Sequence, residues 1–253
     1  MLSPNIFNIL FVFPLLNILV AFYKVFELLN FPGPLGWVII SLTFLIKAFT
    51  HPFFKKQIES AKKIQELRPE LEKLAKKYKN NREKLQKAQI ELYQKAGVNP
   101  AVGCLLPIIQ IPIFIGLYRT FIIFLNLKSK ESFEELNRVL FLQFLKLSSM
   151  DPVFLGLDLT LSPLKGGNVF YYSIPVITGL LQYYMGRISS KQYQSKEEKK
   201  MSDFQKAFQT QYNLLLPFFI GWISLNFPVG LSLYWNFFSL LSIWQMRKVK
   251  NQL

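Results

Sequence analysis

Five apolar blocks of 16 to 28 residues, each carrying at most one charge, dominate this chain. A helix rises about 1.5 Å per residue, so blocks of that length cross, or nearly cross, a hydrocarbon core of about 30 Å. They occupy residues 36–54, 99–126, 169–187, 212–227 and 229–246. With 51% of the 253 residues hydrophobic and 18% charged, a disordered or collagen-like chain is excluded. The expected fold is all-α, a polytopic membrane protein with five transmembrane helices. Asn226, Pro228 and Gly230 separate the last two. The uncharged stretch they interrupt, residues 212–246, yields helices of about 25 Å each, short enough to suggest a locally thinned membrane.

Charge between the blocks sets the expected orientation, because Lys and Arg collect on the cytoplasmic side. Residues 55–95 carry 13 Lys and Arg against 6 Asp and Glu, and residues 187–206 carry 6 against 3. The tail, 247–253, adds Arg247, Lys248 and Lys250, whereas residues 126–169 carry 5 of each sign. The segments 55–98 and 188–211 and the tail are therefore expected in the cytoplasm, and the loop 127–168 outside. The N-terminus is then outside and the C-terminus cytoplasmic. Within residues 1–35, an apolar stretch contains Asn8, Pro14, Asn17, Lys24 and Glu27. It is expected to lie along the outer interface as an amphipathic helix, turned into the first span by Phe31-Pro32-Gly33-Pro34. It lacks a basic leader and a small-residue cleavage site, so it is expected to belong to the mature protein.

Residues 55–98 change character. Leu67, Leu71, Leu74 and Tyr78 draw one apolar stripe at helical spacing, and Leu85, Ala88 and Leu92 draw another. Asn80-Asn81 between them is a turn signal, and Pro69 should kink the first arm or restart it. The segment reads as a cytoplasmic helical hairpin. One reading is a solvated structural element. The other is a basic arm, built from Arg68, Lys73, Lys76, Lys77, Lys79, Arg82 and Lys84, that meets anionic lipid headgroups, ribosomal RNA or a targeting factor.

Chemistry-bearing groups are scarce in the spans: Lys47, His51, Cys104 and Arg119, with no Asp or Glu. Carboxylate catalysis and metal hydrolysis need clusters that one His cannot supply, so neither an enzyme nor a metal or other cofactor is expected. A lone cysteine also excludes an internal disulfide. Thr43 and Lys47 share a face at i and i+4, but nothing adjacent resembles an oxyanion site. An ammonium at the middle of a span costs about 2.5–3.5 kcal/mol on insertion scales. Lys47 is expected to recover that either by snorkelling or by facing a water-filled cavity open to the cytoplasm and lined by Thr43, Gln110 and Asn236. Arg119 lies near the outer end of its span, and outward snorkelling accounts for it.

The second span opens with Asn99-Pro100, continues through Gly103-Cys104 and Gln110, and carries Pro112-Ile113-Phe114; the last opens with Phe227-Pro228-x-Gly230-Leu231-x-Leu233-Tyr234-Trp235. Together with the basic segment between the first two spans and its Leu67-Arg68-Pro69 step, this order resembles the YidC family of membrane protein insertases over essentially the whole chain. The resemblance implies a non-enzymatic insertase and chaperone whose hydrophilic groove, open to cytoplasm and lipid, receives polar parts of nascent membrane proteins. It implies groove residues Lys47, Thr43, Gln110, Trp235 and Asn236. Its partners would be the ribosome, the signal recognition pathway or Sec translocon and anionic lipids, in a bacterial plasma membrane. Lys47 stands where the family usually has arginine, keeping the charge but losing the planar fork. Pro107 falls one residue later than the common pattern, and Asn236 stands where the family more often places an Asn near Ser239. The form resembled is the minimal one, without a large periplasmic domain, and the short tail argues against strong ribosome binding through the C-terminus. The rival reading is a small-solute transporter or channel, since proline-broken spans around a buried charge also build solute sites.

Overall fold

A computed structural model of the chain describes residues 2–99, 101–193 and 214–252. A π-helical turn, Asn8–Val12, runs into α1 (Phe13–Leu28), and α2 (Pro34–Glu66) follows a tight corner. Gly33 makes that corner at φ 66°, with Pro34 opening α2, where its missing N–H costs nothing. A Cβ on Gly33 would lie 2.8 Å from the Phe154 ring, so glycine is required there twice over. The helix α2 runs through Pro52 and well past residue 54, because 55–66 is rich in good helix formers and Lys55 pairs with Glu59 at 3.9 Å. It ends at Leu67, and Pro69 sits in the first turn of α3 (Arg68–Lys77), restarting the arm as its sequence suggests. After the turn at residues 78–81, the Asn81 side chain accepts from the Lys84 N–H at 3.0 Å and caps α4 (Arg82–Lys95). Leu67, Leu71, Leu74, Tyr78, Leu85, Ala88 and Leu92 are all half-buried in this arm.

The helix α5 (Ala101–Leu125) leads into the loop region. It holds α6 (Lys130–Arg138), capped by Ser129 and Ser132 and burying Phe133 and Leu136. The fold is therefore helical apart from one small antiparallel pair in this loop, β1 (Val153–Phe154) and β2 (Leu157–Asp158). The chain then forms α7 (Val169–Tyr193), α8 (Leu214–Ile223) and α9 (Val229–Gln252). The helix α8 stops at Ile223, earlier than the expected 227. Ser224 turns its hydroxyl onto the Gly221 carbonyl at 2.7 Å, and Pro228 cannot continue the ladder. Among the described residues, Asn8–Leu28 and Pro34–Glu66 are long and apolar enough to cross a membrane, and Ile111–Leu125 and Leu214–Ile223 are shorter apolar helices.

Packing is uneven along the bundle. At the end that bears α6 and the strand pair, here the loop end, one core joins Leu16 and Tyr23 of α1 to Val38, Ile39 and Leu42 of α2. Leu117, Phe121 and Phe124 of α5 and Leu231 and Tyr234 of α9 complete it. Gly230 lets α9 close on this core, since a Cβ there would meet Ile39 and Leu125 at 3.2 Å. The backbones of α7 and α8 likewise cross closely at Gly179 and Gly221. At the opposite end, which bears the arm, the buried apolar cluster among the described residues is only Ile58, Ile243 and Met246.

The helix α1 crosses α5 steeply. The Val12 carbonyl accepts from the Thr120 hydroxyl at 3.5 Å, and the Tyr23 ring lies 5.9 Å from that of Phe124. About 16 Å of α1 thus traverses only about 6 Å of α5. Midway along the continuous helical stretch Asn8–Leu28, buried Asn17 donates to the Val139 carbonyl at 3.1 Å and accepts from the Phe141 N–H at 2.7 Å, tying the loop to the helix.

Candidate functional site

The site grows from the polar residues of two helices. On α2, Thr43, Ile46, Lys47 and Thr50 form a buried stripe, while Phe44, Leu45, Phe49 and Phe53 are exposed on the other side. On α9, Ser232, Asn236, Ser239, Ser242 and Gln245 are all buried. Their spacing of four and then threes falls slightly short of the helical turn, so the stripe winds around α9. Ser239 accepts from the Gln182 amide of α7 at 2.9 Å, and farther along Ser242 accepts from the Lys47 ammonium at 2.6 Å. The Gln245 amide donates to the Lys47 carbonyl at 3.3 Å. The result is a polar seam between α2, α7 and α9 that starts beside the loop-end core at Thr43 and Ser232 and runs toward the arm.

Lys47 is only 6% exposed. Its Nζ sits 3.7 Å from the centre of the Phe238 ring and 5.5 Å from that of Phe54, so aromatic faces supply part of what water would. Among the described residues no carboxylate pairs with it; the ion pairs there are Lys24–Glu27, Lys55–Glu59 and Lys87–Glu83. Thr43 and Thr50 turn their hydroxyls back onto the Ile39 and Ile46 carbonyls at 2.6 and 2.9 Å. Three acceptors in the seam, Ser232 Oγ, Asn236 Oδ1 and Gln245 Oε1, are buried with no partner among the described residues. Buried acceptors of this kind ordinarily bind water or a visiting donor.

Beside the seam lies a cavity of about 640 Å³ between α5, α7, α8 and α9. Its walls include Ile111, Phe114, Met185, Phe219, Ile223 and Trp235, with Gln182 the main polar group. Two residues belong to both compartments. Phe238 faces the cavity with the ring that covers Lys47, and Gln182 faces it while bonding Ser239.

The expected groove residues thus divide. Lys47, Thr43 and Asn236 lie in the seam, whereas Trp235 lines the cavity. Among the described residues, Ser242 and Phe238 hold the Lys47 ammonium inside the bundle. The Gln110, Gly103 and Arg68 side chains and all of Pro100 lie outside the described residues, and Asn99 is exposed. Pro112 is half-buried in α5, Pro228 precedes α9, and Gly230 serves close packing. Lys73, Lys76, Lys77, Lys79, Arg82 and Lys84 are exposed on the arm. Arg119 donates to Asn8 Oδ1 at 3.2 Å, beside the Phe7 ring, rather than reaching outward alone. Ser239, Ser242, Gln245, Gln182 and Phe238 were not singled out from the sequence, although polar residues recurring at helical spacing through an apolar block were a usable signal.

Comparison with known proteins supplies the remaining finding. The family model described as 60Kd inner membrane protein matches residues 26–253. An inner membrane ALBINO3-like protein 2, chloroplastic, from Chlamydomonas reinhardtii is 34% identical over 232 residues, covering 88% of this chain and 51% of that protein. A membrane protein insertase YidC from Helicobacter pylori is 33% identical over 218 residues, covering 86% and 33%. One from Geobacter sulfurreducens is 30% identical over 232 residues, covering 92% and 35%. The chain spans a third to a half of the length of these relatives.

Proposed function

Because the chain belongs to the 60Kd inner membrane protein family, whose relatives above include membrane protein insertases, we propose that this helical membrane protein inserts newly synthesised membrane proteins and assists their folding. Polar parts of a client rest in the seam while its apolar helix lies along the cavity and the surrounding lipid. The observation that carries this reading is the seam itself: an ammonium with no carboxylate and three buried acceptors with no partner among the described residues. A folded core gains nothing from orphaned acceptors, each costing about 1–3 kcal/mol, unless something else occupies them. A client's polar segment would satisfy them and be spared part of its own desolvation. Phe238 would have to swing aside to join the two compartments. No nucleotide or catalytic group is required; burial of the client's apolar surface provides the driving force.

The topology that suits this function has five spans and a cytoplasmic arm that contacts ribosome, targeting factor, translocon or anionic lipid, with α1 on the outer face. Two observations support that position of α1: its steep crossing of α5, and the polar loop fastened through Asn17 to the middle of the stretch Asn8–Leu28. A helix spanning the bilayer would hold that loop near the midplane, where its Arg and Lys would be costly.

The test is insertion of a one- or two-span reporter in cells depleted of their own insertase. Lys47→Arg should sustain insertion, while Lys47→Ala and deletion of residues 78–81 should each reduce it. Full insertion by both defective variants would overturn the mechanism.

A further inference from the structure

Residues 137–147 form a closed loop with an apolar crest. Its ends are joined by one side chain: Asn137 donates to the Leu147 carbonyl at 2.8 Å and accepts from the Leu147 N–H at 2.9 Å. Asn17 of α1 clamps its rising limb from below, and Leu145 and Leu147 point into the core. A loop fastened at both limbs cannot fold its remaining side chains inward. Phe141, Leu142 and Phe144 are accordingly 66%, 52% and 70% exposed. Each would cost roughly 1.5–3 kcal/mol to leave in water relative to burial, and such clusters mark interaction surfaces.

We propose that this crest inserts into the outer leaflet of the membrane beside α1, making the loop a second interfacial anchor. Two features select lipid over a protein partner. The crest is tied through Asn17 to the helical stretch Asn8–Leu28, whose own apolar Ile9, Leu10 and Val25 are exposed. It is also bracketed by Arg138 and Lys146, with no carboxylate between residues 136 and 150, and paired cations at this spacing suit lipid phosphates. The crest would hold α1 and the loop end at a fixed depth, which the seam needs if it is to open only toward the arm. The inference rests on the topology proposed above.

The test uses the full chain in lipid nanodiscs, in a Cys104→Ser background, with a polarity-sensitive fluorophore on Phe144→Cys and, as a reference, on Ser149→Cys. The probe at 144 should emit at shorter wavelength, be quenched by nitroxide lipids labelled just below the headgroup, and be severalfold less quenched by iodide than the probe at 149. Iodide quenching equal at both sites would overturn the inference, as would quenching at 144 by neither agent, which means a protein surface covers the crest. Neither reading depends on insertion activity, so the crest can fail while the insertase assignment stands, and the reverse.

Discussion

The two ends of the bundle use the same helices for opposite purposes. At the loop end, α2, α5 and α9 meet through Ile39, Leu42, Phe121, Phe124 and Tyr234, with α1 and α6 closing over them. Toward the arm end, α2 and α9 continue side by side but meet through Lys47, Ser242 and Gln245. In lipid, helices gain nothing from hiding apolar surface and associate by close packing and hydrogen bonds. The loop end follows the first route and can be rigid. The polar seam that runs from this core toward the arm follows the second incompletely, since three of its acceptors have no partner among the described residues, and a region so built is suited to exchanging its partners.

The largest effect expected from this contrast is on stability. Phe124→Ala, at a fully buried site, should cost about 3–5 kcal/mol, whereas Ser239→Ala, which removes the seam hydroxyl that accepts from Gln182 and donates to the Trp235 carbonyl, should cost about 1–2 kcal/mol. Denaturant unfolding of the solubilised protein measures both. Equal losses would mean that the seam is as structural as the core.

Lys47→Met sharpens the point by separating stability from function. Exchanging a buried charge for an apolar side chain of similar volume is often neutral, or stabilising by about 1–4 kcal/mol. The variant should therefore unfold no earlier than the parent yet fail to insert the reporter. A clear drop in stability would instead make Lys47 a structural fastener through Ser242.

Phe238 tests the wall between seam and cavity. Because its ring covers the ammonium at 3.7 Å, Phe238→Ala should raise the rate at which a water-soluble maleimide labels Ser242→Cys severalfold, again in a Cys104→Ser background. An unchanged rate would show that the seam is reached by another route.

Parts of this contrast were legible in the sequence. The arm followed from the Leu67 to Tyr78 stripe, the Asn80-Asn81 turn and Pro69, all of them local signals acting over a few residues. Lys47 stood out because a charge in an apolar block needs a reason. The position of its partner was not legible: Ser242 is 195 residues away, and nothing local distinguishes it from Ser232, which has no partner among the described residues. The order of the loop was missed for a similar reason. Counting charges over residues 126–169 gives a balanced segment, but it says nothing of Asn17 and Asn137, whose side chains fasten the loop by bonding its backbone. Adjacent Trp235 and Asn236 looked like one site, yet successive positions on a helix differ by about 100° and here face different compartments.

The smallest expected effect lies in α6, where the loop end depends on local capping rather than on core packing. The backbone N–H of Glu131 and, next to it, the Ser129 hydroxyl hold the Glu131 carboxyl below its ordinary value, as expected for an acid in the first turn of a helix. A carboxyl whose folded value is depressed contributes stability above its unfolded value and loses it as pH falls through the folded one. Amide exchange of α6, corrected for intrinsic rates, should thus be steady near neutrality and accelerate as pH drops through and below the usual carboxylate range. Glu131→Gln should flatten that dependence, and Ser129→Ala should expose α6 at every pH. The core signals of α2 and α5 should not respond in either variant, because the cap orders its own helix while Phe133 and Leu136 hold that helix on the bundle. If those core signals do respond, the loop is a working part of the rigid end rather than a cover laid over it.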